Sequence, residues 1–429
     1  MNEYRRNIHK HLSWTLKITY GVLIISTMIS VSNCITSTAK PPVAPSGVTA
    51  VSGNGEVIIN WDASIGADRY YIYQSLTSGA GYVKINSITN TSYTVNSLIN
   101  GNTYYYVITA INDTGESKYS EEVQGKPTLI YTYYCPDPAG IAIDASENIW
   151  ITCGGGDVTE LNPNGITIGT YNIFEGPYAV VPKGIAIDSA GNIWVADEPD
   201  AIIQLNSSGN VQNIYYGVPT FNSNPYNVLI DSLGDMWVAS FAGITKLSSN
   251  AITIGTFFTG EPYYNLAIDR YGNVWVAAFS TVTVLTSTGT TINEYTIGEY
   301  LNAIAIDNSG DIWLTQLSNS NVSNIVKLSP NGIILGTYPI GKYPAGIGVD
   351  IAGNIWVANG GYQGNNTVTE LSPDGKILDI YEAGISPLNL AIDVRGDVWI
   401  TDSLNSTVTE LVGVASGPQY WPYKGPQWP

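Results

Sequence analysis

The sequence predicts an all-β chain, a two-sheet sandwich followed by a ring of seven four-stranded units, and three observations point to it. A segment reading roughly I-A-I-D-x-x-G-[ND]-I-W-[VI] recurs seven times with its aspartate and tryptophan six residues apart: Asp144/Trp150, Asp188/Trp194, Asp231/Trp237, Asp269/Trp275, Asp307/Trp313, Asp350/Trp356 and Asp393/Trp399. Successive aspartates lie 44, 43, 38, 38, 43 and 43 residues apart. That is the period of one blade of a β-propeller and is too long for a leucine-rich or hexapeptide solenoid. Ahead of the repeats, residues 41–127 alternate apolar and polar side chains along short runs rich in tyrosine and isoleucine, as half-buried strands do. A content of 12% charged and 11% aromatic residues suits a packed all-β protein of two or three domains.

The elements follow in chain order. Residues 1–33 read as a targeting segment: a basic stretch (Arg5, Arg6, Lys10, Lys17), then an apolar run from Ile18 to Val31 that is short for a bilayer span. Val31-Ser32-Asn33-Cys34 resembles a bacterial lipobox, which implies lipidation of Cys34; an uncleaved anchor is the alternative. Either way the bulk of the chain is expected outside the cytoplasm, attached to a membrane through this end alone. Without residues 1–33 the chain keeps 13 Lys and Arg against 34 Asp and Glu, a net −21. Such a surface repels nucleic acid and anionic lipid, so neither is expected as a partner.

Residues 41–127 carry Trp61 on a clean alternating strand, then Arg69-Tyr70-Tyr71-Ile72-Tyr73, then Leu98-x-x-Gly101-x-x-Tyr104-x-Tyr106. This pattern resembles the fibronectin type III domain, whose inner tryptophan and tyrosine corner correspond to Trp61 and Tyr104. The resemblance implies an immunoglobulin-like sandwich, read here as a spacer lifting the rest off the envelope.

Residues 128–412 hold the seven-bladed propeller. Its seventh unit ends at Leu411 without a fourth strand, whereas Leu129–Tyr134 alternates like the fourth strands of the other units, so the N-terminal strand is expected to complete the ring. The seven aspartates are expected to accept hydrogen bonds from their turns and the tryptophans to pack between blades. Glu147 stands where other units have glycine, which predicts a strained turn. Arg395-Gly396-Asp397 occupies the same turn and is read as a turn before an adhesion signal. Repeat text such as Gly353-Asn354-Ile355-Trp356-Val357-Ala358 and Val368-Thr369-Glu370-Leu371-Ser372-Pro373-Asp374-Gly375 resembles NHL-type and streptogramin-lyase-like (virginiamycin B lyase) propellers. Those lyases use a catalytic histidine, but the only histidines here, His9 and His11, lie in the targeting segment, so no catalytic residue is carried over. The Pro- and aromatic-rich residues 413–429 are expected to form an extended strap over the seam between blades seven and one.

Interval lengths place the variable face. Tryptophan to the third-strand leucine runs 11, 11, 10, 10, 15, 15 and 12 residues, and the fourth-strand aromatic to the next aspartate runs 17, 16, 12, 12, 12 and 12. The other two intervals are constant, so all the variation falls on loops opening on one face, where repeat proteins usually bind. Candidate ligand-binding residues there are Glu175, Tyr178, Asp197, Tyr226, Glu261, Tyr263, Glu299, Tyr300, Tyr343, Asn359 and Asp402, aromatic surfaces beside hydrogen-bonding groups that suit a glycan, peptide or protein ligand. Cys135 and Cys153 point to the same face and are expected to form a disulfide rather than a zinc pair. No cofactor is expected; calcium is the one ion the oxygen ligands would suit. Two functions stay open: a non-catalytic binding, scaffolding or envelope-structural protein, or a lyase or lactonase-like hydrolase using a carboxylate-held divalent ion. Convergence of three or more of these acids and amides on the central channel would favour the enzyme.

Overall fold

A computed structural model describes residues 40–173, 181–217, 224–241, 243–257, 263–298, 300–317, 323–360 and 365–418, and these are all β. The targeting segment with Cys34, and residues 419–429 of the expected strap, lie outside the described residues.

The first unit is a sandwich. Thr49–Ser52, Val57–Asn60 and Ser92–Val95 form one sheet, and Val83–Ile88, Arg69–Ser75, Tyr104–Asn112, Gly115–Glu116 and Val123–Gly125 the other. Alternation turns Ile59, Ile72, Tyr106 and Ile108 inward, and Trp61 meets Tyr70 edge-on at 5.4 Å between ring centroids. The Tyr104 hydroxyl accepts the backbone N–H of Ile99 at 3.0 Å, which pins the loop before its strand as a tyrosine corner does.

Seven antiparallel four-stranded units follow, the first six pairing their strands in sequence order, and the sixth is continued by the three strands of the sandwich sheet that holds Thr49–Ser52. The last consists of Pro387–Ile392, Val398–Asp402 and Thr407–Leu411, and its outer strand is Ile130–Tyr134 from ahead of the first sheet. One motif builds every sheet. Each aspartate accepts turn amides on Oδ1, as Asp231 does from Leu233 and Asp235 at 3.0 Å, and accepts the indole N–H of its tryptophan on Oδ2, at 2.9–3.4 Å in all seven. A buried indole needs such a partner, so the six-residue spacing is a hydrogen-bond requirement as well as a turn signature. Each tryptophan then stacks on the aromatic of its own outer strand, Trp150 on Tyr171 through Trp399 on Tyr133. Glu147 adopts φ 64°, the left-handed conformation its glycine counterparts take without a Cβ penalty, and its carboxylate accepts the Val394 N–H of the seventh sheet.

Packing joins neighbouring sheets. Trp150 clusters with Ile193 and Val195 of the second sheet, and each later tryptophan clusters likewise with the next sheet's second strand, until Trp399 of the seventh sheet meets Ile149 and Ile151 of the first. The innermost strands run side by side so closely that a Cβ added at Gly184 would lie 2.6 Å from the Cα of Asn227. Only glycine permits that approach.

Two expectations need correction. The sandwich does not stand off as a free spacer: Thr49–Ser52 runs parallel to the outer strand of the sixth sheet, Ile377–Glu382, with Ser52 opposite Tyr381. Ser52 Oγ and the Lys126 N–H both donate to the Asp379 carboxylate at 2.8 Å, and Gln124 Nε2 donates to the Leu378 carbonyl at 2.6 Å. An exposed outer edge is thereby covered by the chain itself. The strap, where described, heads toward the sixth sheet rather than the first: Ile351 N–H donates to the Gly417 carbonyl at 3.0 Å and Ser416 N–H to Asp350 at 3.1 Å. The turn acceptors of sheet six lie beside the chain as it leaves sheet seven, which sets that direction.

Candidate functional site

The seven innermost strands begin around one open cavity of about 210 Å³. Every sheet contributes to its wall: Ala139 and Gly140, Lys183 and Gly184, Tyr226 and Asn227, Asn265, Asn302, Ala345, then Leu388 and Asn389. The position four residues before the motif aspartate is glycine, where backbones crowd, in Gly140, Gly184 and Gly346, asparagine in Asn227, Asn265 and Asn389, and alanine, Ala303, in the fifth sheet. Asn227 Nδ2 donates to Asn265 Oδ1 at 2.7 Å, and Asn302 Nδ2 to the Pro344 carbonyl at 3.2 Å, so amides bridge one sheet to the next. Threonine hydroxyls do the same, Thr152 to the Lys183 carbonyl at 2.9 Å and Thr401 of the seventh sheet to the Ala139 carbonyl at 3.0 Å. The amide lining was missed in the sequence; aligning the seven repeats on their aspartates and reading the position four before would have exposed it.

Of the candidate ligand residues, Tyr226 alone lines this cavity among those described. Asp197, Asn359 and Asp402 each lie three residues after a motif tryptophan and are buried. Asp402 accepts the N–H groups of Ile385, Ser386 and Asn405 at 2.6–3.1 Å, and Asp197 accepts Val181 N–H at 2.7 Å. Asn359 donates to Thr367 and Thr369 within its own sheet. The two aspartates tie loops down, because a loop crossing a strand end leaves backbone amides that need an acceptor. Cys153 fills the same position in the first sheet and is joined to Cys135 by a disulfide. Tyr300 packs edge-on against Phe279 at 4.7 Å, and Tyr343 is exposed on its loop with φ 51°. Tyr263 starts the first strand of the fourth sheet opposite Ala278. Glu175, Tyr178, Glu261 and Glu299 lie outside the described residues. Among the described residues no group of three or more His, Cys, Asp or Glu side chains could hold a metal ion, so amides converge and acids do not. Arg395 pairs with Asp393 and Asp397 at 2.8 and 2.7 Å, which uses its tripeptide as a turn.

Buried carboxyls give the molecule a pH dependence. Burial, with Asp379 and Asp350 nearby, pushes Glu370 from 4.5 up to about 8. Burial, opposed by the Val181 N–H and helped by Glu198 and Asp200, pushes Asp197 from 3.8 to about 7. Burial also outweighs three hydrogen bonds at Asp379, which reaches about 6. A carboxyl whose value is higher when folded than unfolded binds its proton more tightly in the folded state. Its stabilisation is therefore complete below the unfolded value and is lost as pH climbs through the folded one. The melting temperature is expected to fall between about pH 5 and about pH 8, and Glu370→Gln should flatten the upper part of that fall. A melting temperature that instead rises over this range would refute the assignment.

A fibronectin type III family model matches residues 43–126, and that segment is a fibronectin type III domain. The chain is similar to amylopullulanases, at 36% identity over 113 residues to that of Thermoanaerobacterium saccharolyticum and 41% over 100 residues to that of Thermoanaerobacter thermohydrosulfuricus. These matches cover 26% and 22% of this chain but only 9% and 7% of the relatives. Among solved structures, the extracellular domain of a hybrid two-component system protein from B. thetaiotaomicron aligns over 86% of this chain and 51% of its own, with TM-score 0.54 and 14% identity, a likeness of fold.

Proposed function

We propose that this chain is an extracytoplasmic, non-catalytic binding or scaffolding protein, anchored through Cys34. A fibronectin type III domain is docked on a seven-bladed β-propeller of NHL or streptogramin-lyase-like type, and the face holding the cavity mouth engages a glycan, peptide or protein. The carrying observation is the division of roles at the strand ends: the described acids there are buried and bonded to backbone, while the open cavity presents carboxamides. Carboxamides orient and bind; they supply neither nucleophile nor general base. The closed seven-fold ring is supported by the Trp399–Ile149 cluster, by the Thr401 bridge to Ala139 and by the shared seventh sheet. Export is supported by the Cys135–Cys153 disulfide, a bond kept in oxidising compartments.

Glycan and peptide arrays probed with the purified chain, with and without calcium, test this reading. Retention of a ligand class independent of calcium is the expected result, with no turnover of the retained ligand. Calcium-dependent cleavage of any retained compound would overturn the non-catalytic assignment, and calcium alone is expected to leave the melting temperature unchanged.

A further inference from the structure

We infer that the cavity mouth is a site for a carboxylate-bearing monosaccharide unit, an inference that rests on the binding reading above. The first argument is amide orientation. Asn227 Oδ1 accepts the Val228 N–H at 2.8 Å and Asn265 Oδ1 accepts the Leu266 N–H at 2.9 Å, so backbone bonds fix which end of each carboxamide is oxygen. The Asn227 amide continues the chain to Asn265. That leaves the Asn265 NH2 group and the Asn389 carboxamide without a hydrogen-bond partner among the described residues, both at the cavity wall. The fixed NH2 donor of Asn265 and the unengaged amide of Asn389 give the wall donors for a ligand rich in acceptors.

Charge makes the second argument. The chain as a whole is at −18, yet the cavity wall contains no acid and one base, Lys183. Lys183 Nζ has a stretched ion pair with Glu198 at 4.0 Å. A ligand carboxylate placed at the wall would meet a cation and neutral donors and would compete with Glu198 for the ammonium across a loose 4.0 Å contact, while screening over about 8 Å at physiological salt weakens the repulsion from the other surface acids. Bonds from ionised donors to carboxylates are about twice as strong as neutral ones.

Size and shape complete it. About 210 Å³ is below the roughly 300–1,000 Å³ of sites for drug-sized ligands, which suits one sugar ring at a chain end. Tyr226 also contributes to the wall beside the asparagines, and sugar sites pair aromatic side chains with such hydrogen-bonding groups.

Titration calorimetry of the full chain with D-glucuronate, D-glucose and N-acetylglycine tests the assignment. Glucuronate should bind saturably and glucose about tenfold or more weaker, the value of one charged contact. Lys183→Met should remove that difference by lowering glucuronate affinity to that of glucose, and Asn265→Leu should weaken both sugars. Equal affinity for the two sugars, or a preference untouched by Lys183→Met, overturns the role of the carboxylate. N-acetylglycine binding as well as glucuronate overturns the sugar and points to a peptide carboxylate. If none of the three binds, the site is wrong; array capture that survives Asn265→Leu would then leave the broader binding reading standing, and absence of any capture would remove both.

Discussion

Replacing Asp231 with alanine is expected to lower the free energy of unfolding by about 3–5 kcal/mol, the cost of stranding a buried charge. Asp231 accepts two turn amides and the Trp237 indole, and it lies 2.9 Å from Lys246 Nζ. Lys246 is 4% exposed, with Asp235 at 2.9 Å as its second carboxylate and the Ser287 carbonyl as a third partner. Burial alone would lower its pKa; the two aspartates outweigh burial and raise it, so the lysine stays charged in the folded protein. Alanine removes one of the two counter-charges and leaves an indole N–H and two turn amides to find new acceptors inside a packed sheet. Asp269→Ala is the comparison, because the fourth sheet has Val284 where Lys246 stands and its aspartate bonds only to the turn amides, Asn273 and the Trp275 indole. Its cost should be smaller, about 1–3 kcal/mol. Urea unfolding of both variants, and of Asp231→Ala combined with Lys246→Met, checks the account. The double variant should recover part of the loss, and an Asp231→Ala protein as stable as the parent would refute it.

Tyr131→Pro should cost about 1–3 kcal/mol, because the ladder bond is lost and its acceptor is left without a partner. Backbone bonds on either side, Cys135 N–H to the Ser406 carbonyl and Val412 N–H to the Leu129 carbonyl, place Tyr131 at a hydrogen-bonded position opposite Glu410. Tyr131 is 48% exposed, so Tyr131→Ala, which keeps the backbone donor, should be nearly silent. Loosening this strand also frees Tyr133, which stacks on Trp399 and donates its hydroxyl to Glu410. The exposed edge of Thr407–Leu411 would then be open to pairing with other chains. Limited proteolysis between residues 113 and 129, with sedimentation to detect oligomers, separates the outcomes. Equal protease resistance for the two variants would mean that this strand does not secure the seam.

The Asp-to-Trp spacing made the repeated sheets legible, because one hydrogen bond recurs seven times and any drift in the interval would break it. The same regularity located the outer strand contributed by Ile130–Tyr134. Site residues were less legible. Asp197 and Asp402 look like ligand groups at strand ends, but a linear sequence does not reveal that the loop entering each sheet turns its amides onto them, nor that Asn359 bonds to threonines of its own sheet. The docking of the sandwich was invisible for a different reason: Ser52 and Asp379 are 327 residues apart, and neither is unusual in its own neighbourhood. The asparagines of the cavity were present as a column across repeats, hidden because three of the seven members are glycine and one is alanine.

The seventh sheet takes its outer strand from residues 130–134 and its other three from residues 387–411. Synthesis therefore delivers one piece of that sheet first and the rest more than 250 residues later. Until the last strands emerge, both flanks of the growing stack stay raw, and the final assembly step must bring together segments separated by most of the chain. Such distant pairing slows folding and prolongs exposure to aggregation. Loss of the last strands would therefore strip residues 130–134 of their ladder partners as well as shorten the seventh sheet.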